Sequence, residues 1–450
     1  MGPGRRLLWQ WCLLAVVSLA LAGLFAILLV LSRAPVTSEN VPWPIDFFEK
    51  GLVAHVVLSF AVWFLAVFGA INTAMVPSEP RFPSGSIIFL FDKLALYLTA
   101  LGTLALLIPA FQEQGQATLN NYIPVIISPI YYLGLILLAA GITLSVWRVL
   151  INLIVNSGLV MDETPALMSA GLIYLAAIAA LLIAGFQLDS PSIDHNYNEE
   201  LIWGAGHTLQ VMNVGLFLVG VSLLFRLTFG QSLAQAKFHR RISGLLVLIA
   251  VSGLSFYSFF KAGTAKNMSA FTDLKYILGV PVLIILVSLS YGLWKHRQEF
   301  KNLNSGSCSL ISGLLVFTTG AVFGLFVDGA DTRTPAHYHG VIGGINLIFV
   351  GLFYAWLLPL LGRSVTNDKL VIWQIGLYAV GQWLFIVGMF AAGYMGASRK
   401  TMGAGIEIDS FSAMVATGVR DIGGGLAIIG GVMFIIIVLK SLFRKASPVP

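Results

Sequence analysis

A series of long apolar runs is the feature that most constrains what this chain can fold into. A hydrocarbon core about 30 Å thick is crossed by a helix of about 20 apolar residues. Runs of this kind lie at about 8–32, 51–75, 90–111, 124–154, 166–187, 201–229, 243–262, 274–294, 308–328, 337–362, 371–395 and 420–443. Because 58% of the residues are hydrophobic and only 10% are charged, no soluble domain could bury this much apolar surface. The sequence therefore predicts an all-α membrane protein with twelve transmembrane helices.

The polar parts of the chain are short. The first apolar run is too long for a cleaved signal peptide, so we expect a membrane anchor. The longest polar stretch is 188–200, and residues 1–450 are predicted to form a single integral membrane domain in contact with the lipid bilayer. Cys12 and Cys308 match no metal or disulfide spacing. The net charge of +6 fits basic loops, and it indicates no nucleic-acid partner.

Basic residues predict the orientation of the helices. Under the positive-inside rule, the connections that are rich in Lys and Arg face the cytoplasm. These connections and the C-terminal end hold Arg81, Lys237, Arg240, Arg241, Lys295, Arg297, Lys301, Arg363, Lys369, Lys440, Arg444 and Lys445. The opposite connections at 112–123 and 188–200 hold acidic residues and no Lys or Arg. We therefore expect both termini in the cytoplasm and the chain in a prokaryotic cytoplasmic membrane.

Two connections on the outer side depart from this rule. They hold Lys261, Lys266 and Lys275 in one case, and Arg399, Lys400 and Arg420 in the other. Basic residues on that side of the membrane are expected to bind an anionic group.

Four histidines lie at a similar depth in the predicted helices. His55, His207, His337 and His339 all fall in the outer third of the membrane on this topology. The remaining three, His195, His239 and His296, are predicted to lie in loops. Because ionisable residues inside a membrane are costly, four imidazoles on one level indicate a functional site.

The motif "HYH" places His337 and His339 on one helix at positions i and i+2. Residues with this spacing point about 200° apart on an α-helix, so they cannot both bind one metal ion in the usual way. Each can reach a different group on either side of the helix. Neutral imidazole is a ligand of haem iron, zinc and copper. The pair therefore favours two haems that flank one helix.

The histidines together resemble the pattern of subunit I of the haem–copper oxidases, a superfamily that includes terminal respiratory oxidases and nitric oxide reductases. The resemblance covers essentially the whole chain and implies a cytochrome oxidase subunit I-like bundle of twelve helices. It implies a low-spin haem on His55 and His339 and a high-spin haem on His337. It also makes His207 a ligand of the copper ion that faces the high-spin haem.

Basic residues on the outer side fit the same resemblance. The stretch "AAGYMGASRK" is similar to the paired basic residues that hold haem propionates in this family, which implies this role for Arg399 and Lys400. Asp331 and Arg333, just before the histidine pair, are expected to join the same network.

The predicted seventh helix departs from the family pattern. The copper ion of the family has two further histidine ligands there, whereas this helix reads "SGLSFYSFFKAG". One imidazole does not hold a copper ion of this kind. The expected place of the missing pair falls near Tyr257 and Ser258. Either the site is metal-free or it uses Tyr257, Ser258 or Lys261, and the sequence favours a site without ordinary copper.

The resemblance implies a haem-dependent oxidoreductase that passes electrons from a low-spin haem to a high-spin haem that binds O2 or NO. His207 and Tyr257 are the candidate catalytic residues beside the haem ligands. An external electron donor, such as a cytochrome c or a partner subunit, is implied. The alternatives are a non-catalytic haem protein that relays electrons or senses a gas, and a secondary transporter. Transporters bind their substrate near the midplane of the membrane, and the histidines do not lie there. Because almost no acidic residue lies well inside the helices, a proton pump is not predicted.

Overall fold

The structure is a computed structural model that describes residues 2–33, 47–76, 87–155, 161–189, 192–301, 303–327, 331–363, 365, 367–399 and 410–445. Within these residues, 12 helices are long and apolar enough to cross a membrane. They are α1 (Pro3–Arg33), α2 (Phe47–Met75), α3 (Ile87–Leu107), α4 (Pro129–Val155), α5 (Thr164–Gln187), α6 (His195–Phe229), α7 (Ala236–Phe259), α8 (Ala265–Lys295), α9 (Ser305–Phe323), α10 (Arg333–Leu360), α11 (Asp368–Tyr394) and α12 (Phe411–Phe443). The prediction of a twelve-helix membrane protein is confirmed.

Several helices begin earlier than the apolar runs predict. His195 is the first residue of α6, and His239 lies in α7 where it is fully buried. The prediction that both residues lie in loops is therefore wrong. Arg420 likewise lies inside α12 and not in the connection before it. The apolar run marks the part of a helix that lies in hydrocarbon, whereas the backbone hydrogen bonds of the helix continue beyond it because they do not depend on side-chain polarity.

Two membrane helices contain a stretch of π-helix. In α2 the π-helix spans Val57–Val62 and begins two residues after His55. In α10 it spans Phe353–Leu357. A π-turn contains one more residue than an α-turn, and such turns are frequent at functional sites. Each one changes which side chains share a face above and below it.

The chain forms two compact units. The first unit comprises Met1–Val219 and Ala234–Ile285, and the second comprises Gly220–Leu233 and Leu286–Pro450. The helices α6 and α8 begin in the first unit and end in the second. That residues 1–450 form a single domain stays a prediction.

In the first unit, α3 and α4 pack with their backbones in close contact. A Cβ atom on Gly102 would lie 2.6 Å from the backbone nitrogen of Leu138, so only glycine fits there. The same two helices bury an ion pair, in which Nε of Arg148 lies 2.8 Å from Oδ1 of Asp92 with both side chains almost fully buried. The connection between α3 and α4 contains a short antiparallel hairpin, β1 (Ala117–Thr118) and β2 (Val125–Ile126).

In the second unit, glycines bring α9 and α10 together. A Cβ atom on Gly320 would lie 2.5 Å from the backbone nitrogen of Val341, and one on Gly344 would lie 2.5 Å from Cβ of Phe317. Small residues at such crossings are typical of packed membrane helices. This close crossing places the start of α10, where His337 lies, directly against the C-terminal end of α9.

Candidate functional site

His207 in α6 has hydrogen bonds at both ring nitrogens. Its Nδ1 lies 2.8 Å from the carbonyl oxygen of Trp203, one turn earlier in the same helix. Its Nε2 lies 2.8 Å from the hydroxyl of Tyr122. Because a carbonyl oxygen can only accept, Nδ1 carries the proton and Nε2 carries the lone pair. The hydroxyl of Tyr122 must therefore donate to Nε2.

Tyr122 was not predicted from the sequence. It lies in the hairpin connection between β1 and β2, with a backbone φ of 64°, and among the described residues it is the one non-glycine residue with a positive φ. Burial, with a smaller contribution from the negative charge of Glu199, raises the pKa of Tyr122 well above its usual range. The hydroxyl therefore keeps its proton and remains a donor at neutral pH.

The carboxylate of Glu199 in α6 holds the tip of this hairpin. Its Oε2 accepts from the backbone N–H of Asn121 at 2.8 Å and from the side-chain amide of Asn120 at 3.2 Å. Its Oε1 accepts from the side-chain amide of Asn121. These bonds fix the loop on the helix that carries His207, and so they determine where Tyr122 lies.

Two glycines beside His207 leave space for two tyrosines. A Cβ atom on Gly206 would overlap the ring of Tyr122, and one on Gly204 would overlap the hydroxyl of Tyr257. The motif "GAGH" was therefore a signal in the sequence that large side chains approach this turn of α6. The hydroxyl of Tyr257 is buried and has no hydrogen-bond partner among the described residues.

The residues around His207 do not fit a copper ion. Among the residues that the structure describes, no group of three or more His, Cys, Asp or Glu side chains could hold a metal ion. Nε2 of His207 already accepts the proton of Tyr122. Of the other candidate ligands, Ser258 and Lys261 are exposed, and Tyr257 lies against Gly204.

His55 in α2 has an imidazole that is oriented by α1. Its Nδ1 lies 2.9 Å from the carbonyl oxygen of Ala22, so the ring lone pair lies on Nε2. The ring is partly buried, and its backbone carbonyl accepts from the hydroxyl of Ser59 at 2.7 Å, inside the π-helix. This arrangement would suit a ligand of haem iron, because a metal ion binds the imidazole nitrogen that carries the lone pair.

His337 at the start of α10 is oriented in the same way by α9. Its Nδ1 lies 2.8 Å from the carbonyl oxygen of Gly320. A Cβ atom on Gly324 would lie 2.7 Å from the His337 ring, so this glycine makes the space that the ring occupies. The tautomer again places the lone pair on Nε2, where it would be available to haem iron.

His339 contacts a different helix. Its ring centroid lies 5.3 Å from that of Phe385 in α11, and its backbone carbonyl accepts from the side-chain amide of Gln382 at 2.9 Å. His337 and His339 therefore face α9 and α11, as the spacing of two residues predicts. Within the second unit, the histidine pair can serve two separate groups.

Two charged residues at the start of α10 form a compact pair. Nη2 of Arg333 lies 2.7 Å from Oδ2 of Asp331, and Asp331 forms an antiparallel β-bridge with Ser398. Burial raises the pKa of Asp331, but the hydrogen bonds from Arg333 outweigh this effect and lower it. Arg399 follows Ser398 directly and is half-buried, whereas Lys400 lies outside the described residues.

Relatives resemble this chain over most of its length. An uncharacterised protein of Rickettsia prowazekii (strain Madrid E) is 25% identical to this chain over an alignment 505 residues long. The alignment covers 96% of this chain and 95% of the relative. An uncharacterised protein of Aquifex aeolicus (strain VF5) is 28% identical over 349 residues, which cover 77% of this chain and 83% of the relative.

A solved structure shows the same fold. A heme-copper terminal oxidase dimer, determined by cryo-EM, superposes with a TM-score of 0.79 at 17% sequence identity, over 99% of this chain and 85% of that chain. The model of the family described as cytochrome C and quinol oxidase polypeptide I matches residues 6–426. The resemblance inferred from the histidine pattern is thus confirmed, and this chain belongs to the cytochrome c and quinol oxidase polypeptide I family.

Proposed function

We propose that this protein is a haem-binding oxidoreductase subunit with a low-spin haem on His55 and His339 and a high-spin haem on His337. The family supports the respiratory-oxidase-like role. The single observation that carries the haem assignment is the orientation of His55 and His337, whose Nδ1 atoms both lie within 2.9 Å of a backbone carbonyl oxygen. Haems held by these histidines would supply electron exchange between two irons and a site that binds O2 or NO.

The protein's part in this chemistry is to hold and tune the ligands. A carbonyl that accepts from Nδ1 fixes the ring orientation and raises the basicity of Nε2, which would strengthen the bond of this nitrogen to a haem iron. For His55 this carbonyl is that of Ala22, and for His337 it is that of Gly320. Because these carbonyls belong to α1 and α9, the packing of neighbouring helices decides where each ligand points.

Arg399 and Lys400 are proposed to bind the haem propionates. Arg333 is charge-balanced by Asp331 at 2.7 Å, so its charge is already compensated. Arg399 offers a planar guanidinium for a carboxylate, whereas Lys400 offers a point charge. An external electron donor, such as a cytochrome c or a partner subunit, is part of the proposal.

A non-catalytic electron relay or gas sensor is the second candidate function. The observation in its favour is the hydrogen bond from Tyr122 to Nε2 of His207, which occupies the nitrogen that a copper ion would bind. Without copper, the site would lack one source of electrons for O2 reduction. Both candidate functions keep the haem ligands unchanged.

Iron and copper counts on the purified protein, together with reduced and CO-treated spectra, test the proposal. We expect two haems per chain and a CO-responsive band. Replacement of His337 by Ala should remove the CO response, whereas His55→Ala and His339→Ala should remove the low-spin spectrum. The matched control is His195→Ala, because the His195 side chain is exposed at the start of α6. One haem without a CO response would favour the relay, and a protein without haem contradicts the proposal.

A further inference from the structure

We propose that Tyr122 is a positioning residue that holds His207 as a hydrogen-bond acceptor and occupies the coordination position that a copper ion would need. This role rests on the proposed function, because it specifies what stands at the copper position in a subunit of this family. Neither the sequence of the seventh helix nor the histidine pattern predicts that Tyr122 contacts His207.

The tautomer of His207 leads to this role. The carbonyl oxygen of Trp203 lies 2.8 Å from Nδ1 and can only accept, so the proton lies on Nδ1 and the lone pair on Nε2. A metal ion would bind at Nε2, and the hydroxyl of Tyr122 already lies 2.8 Å from that atom. A metal ion and the tyrosine proton cannot share one lone pair, so copper could bind only after Tyr122 had moved away.

The loop around Tyr122 is built to keep the hydroxyl there. Its backbone φ of 64° is unfavourable for a tyrosine, so other interactions must hold it. Glu199 provides them by accepting from the backbone N–H of Asn121 at 2.8 Å and from Asn120 at 3.2 Å. Gly206 completes the arrangement, because any side chain at that position would overlap the Tyr122 ring.

Aromatic side chains complete the surroundings of the pair. The ring of Trp203 lies edge-on to Tyr122 with centroids 5.8 Å apart, and Phe271 lies 6.2 Å from His207. These neighbours offer no nitrogen or carboxylate ligand to a metal ion, whereas copper prefers several nitrogen ligands. Both the occupied lone pair and the aromatic neighbours thus favour a hydrogen-bonded imidazole over a metal-bound one.

The test is the 15N spectrum of protein labelled at its histidine imidazoles, which number 7. The sample is reduced under CO so that haem iron is diamagnetic. We expect Tyr122→Phe to shift the signal of one non-protonated imidazole nitrogen downfield, because that nitrogen loses its donor. The same signal should be absent in His207→Ala. Gly206→Ala should shift it as well, because the new methyl group displaces the tyrosine ring.

The control is Tyr132→Phe. It removes the 2.9 Å hydrogen bond from the Tyr132 hydroxyl to Oδ1 of Asn198, which involves no imidazole. It should leave the His207 signal in place. In parallel, the wild type and His207→Ala are incubated with excess Cu2+, freed of unbound metal and analysed for copper. We expect equal copper contents.

The proposal is overturned if Tyr122→Phe leaves the signal unmoved, or if the wild type retains copper that His207→Ala loses. Iron per chain, measured on the same samples, reports separately on the proposed function. A sample without iron would contradict the haem assignment, and the response of the His207 signal to Tyr122→Phe would still decide the role of Tyr122.

Discussion

Backbone carbonyls orient the imidazole rings of His55, His207 and His337 at distances of 2.8 to 2.9 Å. A carbonyl dipole fixes the tautomer without adding a full negative charge beside the ring. The ring lone pair lies on Nε2 in all three cases, and in His207 it meets a tyrosine proton. The three residues therefore share one orienting device and differ in what faces Nε2.

Replacement of Gly324 by Ala tests the space around His337. The new Cβ atom would lie 2.7 Å from the imidazole ring, so the ring has to leave its bond to Gly320. Overpacking of this kind costs about 1–3 kcal/mol. We expect the CO-responsive band of the reduced spectrum to be lost or strongly reduced.

The matched control for this change is Gly376→Ala in α11, where a Cβ atom meets no other atom within 4 Å. That variant should keep the CO response of the wild type. A Gly324→Ala protein with an unchanged CO band would show that the ring of His337 is not held in this space.

At the scale of helices, α2 combines a proposed haem ligand, His55, with a break in its regular winding. The π-helix at Val57–Val62 begins directly after the turn that carries His55, and Ser59 donates to the His55 carbonyl at 2.7 Å. The extra residue of a π-turn shifts the residues before it relative to those after it. The direction of His55 thus depends on the length of this segment as well as on its own position.

Deletion of Phe60 from the π-helix should redirect His55. With one residue fewer, the segment can wind as an α-helix, and the two sides of α2 rotate relative to each other by about 100°. Nδ1 of His55 would then lose the carbonyl of Ala22. We expect the low-spin haem spectrum to be lost while the CO-responsive band remains. Phe60→Leu, which keeps the length, serves as the control, and a low-spin spectrum that survives the deletion would refute this expectation.

The packing of α3 against α4 includes the buried ion pair between Asp92 and Arg148, in which Nε of Arg148 lies 2.8 Å from Oδ1 of Asp92. Asp92→Asn leaves the Arg148 charge buried without compensation, so we expect a destabilisation of about 3–5 kcal/mol. The double variant Asp92→Leu with Arg148→Met should recover most of this loss, because it removes both charges. Thermal unfolding of the purified variants measures both effects.

An exposed ion pair provides the comparison. Arg420 and Asp421 in α12 also lie 2.8 Å apart, but the Asp421 side chain is 62% exposed. Asp421→Asn should therefore change stability by no more than about 1 kcal/mol. A similar loss in Asp92→Asn and Asp421→Asn would mean that burial does not determine the cost.

At the scale of the whole molecule, the distribution of basic residues along the chain determines the expected orientation. The connection at 112–123 and that at 188–200 contain no Lys or Arg, whereas the C-terminal end contains Lys440, Arg444 and Lys445. Tyr122 lies in the first of these acidic connections. Glu199 lies in the second, in the first turns of α6. The site around His207 is therefore expected near the outer face of a prokaryotic cytoplasmic membrane.

Reporter fusions test this orientation. A green fluorescent protein fused after Lys445 should fluoresce in a bacterial host, because the positive-inside rule places this end in the cytoplasm. Alkaline phosphatase inserted into the connection at 112–123 should be active, because that enzyme needs the oxidising outer compartment. A dark C-terminal fusion together with an inactive phosphatase would mean the opposite orientation.

Much of the fold and part of the site were predictable from the sequence. A helix in lipid must satisfy its own backbone hydrogen bonds, so the number of apolar runs predicts the number of helices. The apolar runs do not mark helix ends, which is why His195 and His239 were wrongly expected in loops. The family follows from the histidine pattern, and the transporter alternative does not fit a family match over residues 6–426.

The sequence by itself determined the membrane class, the twelve helices and the candidate haem ligands, because local hydrophobicity and the spacing of a few histidines carry this information. Only the tertiary structure decided the partners of those residues. Tyr122 lies 85 positions from His207 in the chain, and no local pattern connects a hairpin residue with an imidazole so far away. The pairing of Asp92 with Arg148 likewise arises where two helices pack. Such contacts depend on how helices and connections pack in three dimensions.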